Sequence, residues 1–275
     1  MAVAGRTRER AAEVAAGLGA RATTVDELSS GGCGLLLVAV ADGALPEVAE
    51  RLARRPQAAV ALHTAGSLGA SVLAPLAAAG TATGTFHPLK AFPRPLPDPD
   101  EARDVFFATD GAPPAQELAG SLARAFGAHA HEVPEELRDV YHLAASVAAG
   151  GVVTLVASAA DLAASLGLPA AVGRGYLDLA RGALAEARRS AGEPPAAPAI
   201  GRALTGPLAR GESGTFLREL RALAETGAEG ERRLDLFSRL ALETARLSAG
   251  GEAATDTLAR ALADAGFLDP PGGEC

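Results

Sequence analysis

Apolar residues follow two rhythms along this chain, and the change falls near residue 133. Before it, short apolar runs alternate with segments of helical period, the pattern of a parallel sheet wrapped by helices. Residues 1–5, 20–24, 34–40, 58–62, 81–86 and 104–109 read as strands, and 7–18, 45–54, 70–79 and 114–126 as helices. The prolines of 92–100 exclude regular structure and mark a surface loop. After residue 133 no further strand is convincing and the period becomes 3.6. Leu137, Val140, Tyr141, Ala144, Ala148, Val152, Leu155, Ala159, Leu162 and Leu166 share one face of a predicted helix of about thirty residues. Further helices are expected over 170–190, 197–204, 214–225, 231–248 and 253–265. The chain therefore reads as an α/β domain with a parallel sheet, residues 1–132, followed by an all-helical domain, residues 133–275.

Residues 143–160 carry no charge and reach the lower length limit for a membrane span. Ala, Gly and Ser dilute the run, and its apolar stripe continues beyond both ends, so a buried core helix in a soluble, cytoplasmic protein is the expectation. Gly150 and Gly151 in mid-helix cost about 1 kcal/mol each relative to alanine. Close approach of another helix offsets that, which points to tight helix packing or a dimer seam.

Composition narrows the classes of function. Hydrophobic residues make up 48% and charged residues 21%, enough for a packed globular core. The net charge of -8 argues against a nucleic-acid partner, which needs a concentrated basic face. Cys33 and Cys275 form no C-x-x-C pair and no disulfide framework, and no signal-peptide pattern opens the chain. Lys90 is the only lysine among many arginines, a compositional bias rather than a functional signal.

In a doubly wound sheet of order 3-2-1-4-5-6, the turn after the first strand carries G-x-G-x-x-G and lets a pyrophosphate approach a helix N-terminus. No such loop stands between a strand and a helix here. Gly31-Gly32-Cys33-Gly34 precedes a strand, the wrong side for phosphate. The Val3-Ala4-Gly5-Arg6-Thr7 turn reads instead as the end of the second strand of a Rossmann-type sheet. There an acidic residue holds the ribose of NAD, and arginine pairs with the 2′-phosphate of NADP. Arg6, Thr7 and Arg10 are the candidates, with Thr7 equally suited to cap the helix. The expectation is a sheet lacking its first strand and phosphate loop, with the true start upstream and weak dinucleotide affinity for the chain as given.

His87 follows a predicted strand at the edge where open α/β sheets bind ligands. An imidazole of near-neutral pKa suits general acid/base work there; shaping the His87-Pro88 turn is the plainer role. His142 and Tyr141 open the long helix, Tyr141 on its apolar stripe, where core packing is the simpler reading. His63, Thr64 and Ser67 follow another strand end and suit either a nicotinamide ribose or a helix cap. His129 and His131 would share a face if they lay on a strand, but no third ligand is clearly placed and no metal is expected.

Three segments, His63-Thr64-Ala65-Gly66-Ser67, Gly84-Thr85-Phe86-His87-Pro88-Leu89-Lys90-Ala91-Phe92 and Leu204-Thr205-Gly206-Pro207-Leu208-Ala209-Arg210-Gly211, together with Tyr141-His142, resemble a bacterial family of Rossmann-like proteins with a C-terminal domain of unknown function. The family is described as NADP oxidoreductases. It is similar in plan to ketopantoate reductase, deazaflavin-dependent NADP reductase and the 6-phosphogluconate dehydrogenase group. The resemblance spans nearly the whole chain. It implies NADP as cofactor, Asp42 near the cofactor ribose (a helix cap being an equally good role), a small and anionic substrate between the domains, and a homodimer formed through the helical domain. Lys90, Tyr141 and Arg210 become substrate candidates, and His87 and His142 catalytic ones; Arg210 equally suits a partner subunit's site, and a structural turn is its plainer role. A Ser-Asn pair associated with the family's long helix appears here as Ala149-Gly150, and the Lys-plus-Asn pair of the hydroxyacid dehydrogenases has no counterpart. The leading reading is thus an NADP-linked oxidoreductase; the rival is a degenerate Rossmann scaffold that binds a partner or metabolite without a dinucleotide.

Overall fold

Five strands form the main sheet, in the order β3 (Leu35–Val38), β4 (Val60–His63), β5 (Ala82–Pro88), β6 (Phe106–Gly111), β7 (His129–Glu132). This computed structural model describes residues 1–268 apart from 29–31, 56–57, 93–97, 193–194 and 249. All four residues of β4 are buried, because helices cover both faces. Val60 and Leu62 meet Ala115, Ala119 and Ala123 of α4 (Pro113–Ala125) on one face. Ala61 meets Leu45, Ala49 and Leu52 of α2 (Leu45–Ala53) and Leu76 of α3 (Ala74–Ala78) on the other. Period-two alternation sends neighbouring side chains to opposite faces, and a strand apolar at both parities is therefore central. The predicted helix at 70–79 forms as a 3₁₀ turn, Ala70–Leu73, running into α3.

The sheet is mostly parallel, with one exception to the expected pattern. β3, β4 and β5 run parallel, β5 and β6 antiparallel, β6 and β7 parallel. A parallel return needs a crossover, usually helical. Among the described residues between β5 and β6 only a 3₁₀ turn at Pro99–Ala102 stands. Part of the predicted 92–100 loop, residues 93–97, and Cys275 lie outside the described residues. β7, four residues of His-Ala-His-Glu, is too short and polar for the apolar pattern to have marked it.

β1 (Ala2–Gly5) and β2 (Arg21–Thr24) form a separate parallel pair around α1 (Arg8–Leu18). Thr7 caps α1, its Oγ1 accepting from the Arg10 N–H at 3.4 Å. Among the described residues neither β1 nor β2 bonds to β3.

The chain divides into two compact units, Met1–Val152 and Val153–Cys275, so the division falls inside the predicted long helix. That helix forms as α5 (Arg138–Ser146), a π turn at Val147–Gly151, and α6 (Val152–Ser165). The two glycines sit in the π turn, a coil that occurs mostly as a single-turn bulge inside an α-helix. The expected burial of this helix is not found among the described residues. Val140, Leu143, Val147 and Val153 are 62–69% exposed. Glu135–Ser165 is long and apolar enough to cross a membrane, with a mean hydropathy of 1.9 in its most apolar window and none of that window buried.

The second unit continues with α7 (Ala170–Ser190), α8 (Ala197–Gly201), α9 (Ser213–Ala224), α10 (Ala228–Leu247) and α11 (Gly251–Asp264). Its core joins Leu220, Leu223, Ala241, Ala245, Leu258 and Leu262, with Leu162 of α6 packed against them. The buried Arg233 guanidinium bonds Asp161 of α6 and Glu229.

Candidate functional site

β5 and α5 bring the main candidates together within the first unit. His87 lies near the end of β5, and Tyr141 and His142 follow in the first turns of α5. His87 Nδ1 and the Tyr141 hydroxyl are 3.1 Å apart, and the rings meet edge to face with centroids at 5.7 Å. His142 faces the same imidazole at 5.8 Å. These residues line a groove of about 600 Å³ with Lys90 and the small side chains Ala145 and Ala148. Lys90 Nζ donates to the Glu101 carbonyl at 2.5 Å and lies 5.8 Å from the Phe92 ring centroid.

Burial changes the chemistry expected of His87. Its pKa falls to about 4, first through burial and then through the nearby His142 and Arg138. The near-neutral value of an isolated imidazole does not carry over, and His87 is uncharged at neutral pH. Burial raises the Tyr141 pKa, with Arg138 opposing, so the phenol stays protonated. The pair is a neutral imidazole against a neutral phenol.

The loop after β4 forms the floor beneath these rings. His63 is fully buried. Its Nδ1 accepts from the Ala65 N–H at 3.2 Å, and its Nε2 lies 3.0 Å from the Gly69 carbonyl. Only the Nε2–H tautomer satisfies both bonds, and burial lowers the pKa. His63 thus shapes the loop rather than facing a ligand. Gly66 in that loop touches both other histidines: a Cβ there would stand 2.8 Å from His87 Nε2 and would overlap the His142 ring. Further along, Glu135 accepts from the Ser71 N–H at 3.3 Å and from its hydroxyl.

Arg138 is the residue that sequence reading passed over. It is completely buried, donates from Nε to the Val133 carbonyl at 3.1 Å and from Nη2 to Thr85 Oγ1. Its Nη1 has no partner among the described residues. The one available signal was its place three positions before Tyr141, on the same side of the predicted helix.

The remaining candidates are distributed as follows. Ser67 Oγ donates to Asp42 Oδ2 at 3.0 Å, joining the segments after β4 and β3, and the Thr64 N–H bonds the Val38 carbonyl at 3.3 Å. Arg6 and Arg10 are exposed at the end of β1 and have no carboxylate partner among the described residues. Arg210 belongs to the second unit, where Glu212 pairs with it at 2.6 Å. His129 approaches Asp104 at 3.9 Å and His131 stacks on Phe106. Among the described residues no three His, Cys, Asp or Glu side chains group to hold a metal ion. A separate cavity of about 480 Å³, lined by Asp26, Arg51, Arg54 and Arg55, is bridged by the Arg51–Asp26 pair at 2.6 Å.

A family model described as Rossmann-like domain matches residues 4–88, and one described as Domain of unknown function (DUF2520) matches residues 105–244. A solved protein from Thermotoga maritima is 20% identical with a TM-score of 0.61, covering 95% of this chain and 88% of that one. A "putative NADP oxidoreductase" from Bacteroides fragilis is 24% identical with a TM-score of 0.61, covering 88% and 86%. Pyrroline carboxylate reductase from Plasmodium falciparum, solved with NADP bound, is 13% identical with a TM-score of 0.56, covering 94% and 95%. No curated protein matches the chain. At these identities the likeness establishes the fold.

Proposed function

The chain belongs to the family described as Domain of unknown function (DUF2520), joined to a Rossmann-like domain, and from that membership we propose that it is an NADP-linked oxidoreductase acting on a small, anionic substrate. The observation that carries this reading is the His87–Tyr141 pair, set in an alanine-walled groove at the end of β5. Support for the cofactor comes from the NADP named for two of the structural neighbours.

The described residues fit such a group at one end. Arg6 and Arg10, cationic and unpaired, suit the 2′-phosphate, with Thr7 between them; Asp42, held by Ser67, and Thr64 suit ribose hydroxyls. NADP, when bound, supplies or accepts the hydride. The chain's own residues then manage the proton. With His87 Nδ1–H donating to the phenolic oxygen, Tyr141 keeps its own proton free for a substrate oxygen or nitrogen. His142 lies on the other side of His87, available to pass a proton to it. Lys90, whose Nζ lies 3.9 Å from Glu101 Oε2, meets a substrate carboxylate or phosphate at the groove's edge by exchanging that partner.

We place the protein in the cytoplasm, soluble, as a homodimer. A second copy covers Val140, Leu143, Val147 and Val153, which are exposed among the described residues.

Calorimetry with NADPH and NADH, followed by NADPH oxidation against small 2-oxo acids and cyclic imine carboxylates, tests the reading. Expected are a preference for NADPH that Arg6→Ala and Arg10→Ala abolish, and turnover with one substrate class. The second reading, a scaffold without dinucleotide chemistry, is favoured by the separation of β1 and β2 from β3. Absence of NADPH binding by a folded protein decides for it.

A further inference from the structure

Two hydrogen-bonded contacts tie α5 to β5, and both are formed by residues in step. Thr85 and His87 are two apart on β5 and point to the same face. Arg138 and Tyr141 are three apart on α5 and also share a face. Arg138 Nη2 meets Thr85 Oγ1, and the Tyr141 hydroxyl meets His87 Nδ1. The same guanidinium reaches the Val133 carbonyl through Nε, and the Val133 N–H in turn bonds the Thr109 carbonyl at 2.9 Å at the end of β6. One side chain therefore joins α5 to two strands immediately before the catalytic candidates.

A buried cation is a costly means of joining elements. No carboxylate of the described residues lies within ion-pair distance of Arg138, and its Nη1 is buried without a partner. A well-packed apolar residue fills such a position at lower cost. Asp110 and Glu135 favour the charge from beyond ion-pair distance, and burial still opposes it more strongly.

We infer that Arg138 is the positioning residue of this site: its guanidinium holds Tyr141 against His87 and places a fixed positive charge beside the pair. The inference rests on the proposed proton-handling role of that pair. Arginine suits the task because its planar fork reaches two acceptors in different directions, which a lysine ammonium cannot do with the same rigidity. The groups facing His87 are Tyr141, His142 and Arg138 from α5, His63 from β4 and Asp42 after β3. Of these, only Arg138 is a permanent cation. It opposes protonation of His87 and favours any negative charge that develops on the Tyr141 oxygen as its proton leaves.

Three variants separate the two duties. Thr85→Val removes one acceptor and keeps the charge; Arg138→Lys keeps the charge and loses the fork; Arg138→Met removes both. Nitrogen-15 NMR follows His87 through a pH titration, and ring–ring nuclear Overhauser contacts report the His87–Tyr141 distance. Neither readout needs substrate. Expected are weakened ring contacts in Thr85→Val and Arg138→Lys, and an upward shift of the His87 midpoint in Arg138→Met alone. With a substrate in hand, kcat falls on the order of 100-fold in Arg138→Lys with KM little changed. Should Arg138→Met prove unfolded, Thr85→Val and Arg138→Lys still test the placement. Folded variants that retain the parental ring contacts and His87 midpoint overturn the inference, whatever the enzyme does. Variants that uncouple the pair in a protein unable to oxidise NADPH uphold the placement and remove the oxidoreductase reading instead.

Discussion

At the scale of single residues, protonation is governed by what surrounds each group rather than by its type. His63 and His87 are both neutral at neutral pH, yet for different ends. His63 uses both ring nitrogens on the backbone of its own loop, whereas His87 leaves Nε2 toward Gly66 and His142 and offers Nδ1 to Tyr141. The His87 pKa is about 4 in the folded chain against an ordinary 6.5. Between those values the unfolded chain takes up a proton that the folded chain refuses, so stability falls as pH drops from about 6.5 to about 4 and falls no further on this account below that. His63, shifted in the same direction, adds to the slope. Urea unfolding across this range should show a shallower pH dependence in His87→Gln than in the parent, with part of the slope remaining from His63. Removing the phenolic proton is the complementary test: Tyr141→Phe should lower kcat by roughly 100-fold or more, the usual size of a lost acid/base contribution, while NADPH affinity stays unchanged by calorimetry.

At the scale of elements, the site depends on how closely the loop after β4 approaches α5. Glycine at position 66 is required by contact rather than by backbone conformation, since any side chain meets the two imidazoles. Gly66→Ala should cost about 1–3 kcal/mol, as overpacking usually does, and should move the His87 and His142 ring resonances apart from those of the parent. Unchanged resonances in the folded variant would show that the loop adjusts without disturbing the pair. The switch of β6 to an antiparallel direction is an element-scale effect of the same kind. A parallel return needs a crossover, and β6 instead returns beside β5 in the opposite sense.

At the scale of the whole molecule, the exposed apolar residues of α5 and the start of α6 bear on assembly. Exposure of 62–69% at Val140, Leu143, Val147 and Val153 is unusual for a solvent-facing helix, and patches of this kind mark interaction surfaces. Light scattering without detergent should give the mass of two chains. Leu143→Glu combined with Val153→Glu should give one, because two buried like charges at a symmetric seam are opposed by both desolvation and repulsion. Retention of the parental mass in that variant would place the dimer contact elsewhere.

Much of this architecture was legible in the pattern of residues alone. Each of the six predicted strands forms, because buried strands such as Val60–His63 need apolar side chains at both parities. The helices of the second half follow from a 3.6 period that survives any arrangement of neighbours. The resemblance to a Rossmann-like family with a C-terminal domain of unknown function was carried by short motifs around His63, His87 and Leu204, and the family matches bear it out. What only the tertiary structure decided is which of those motif residues meet. His87 and Tyr141 are 54 positions apart, and Thr85 and Arg138 are 53 apart; nothing local couples them. The buried charge of Arg138, the direction of β6 and the depressed pKa of His87 all arise from contacts distant in sequence. Local periodicity records what each segment must bury, and not which distant segment does the burying.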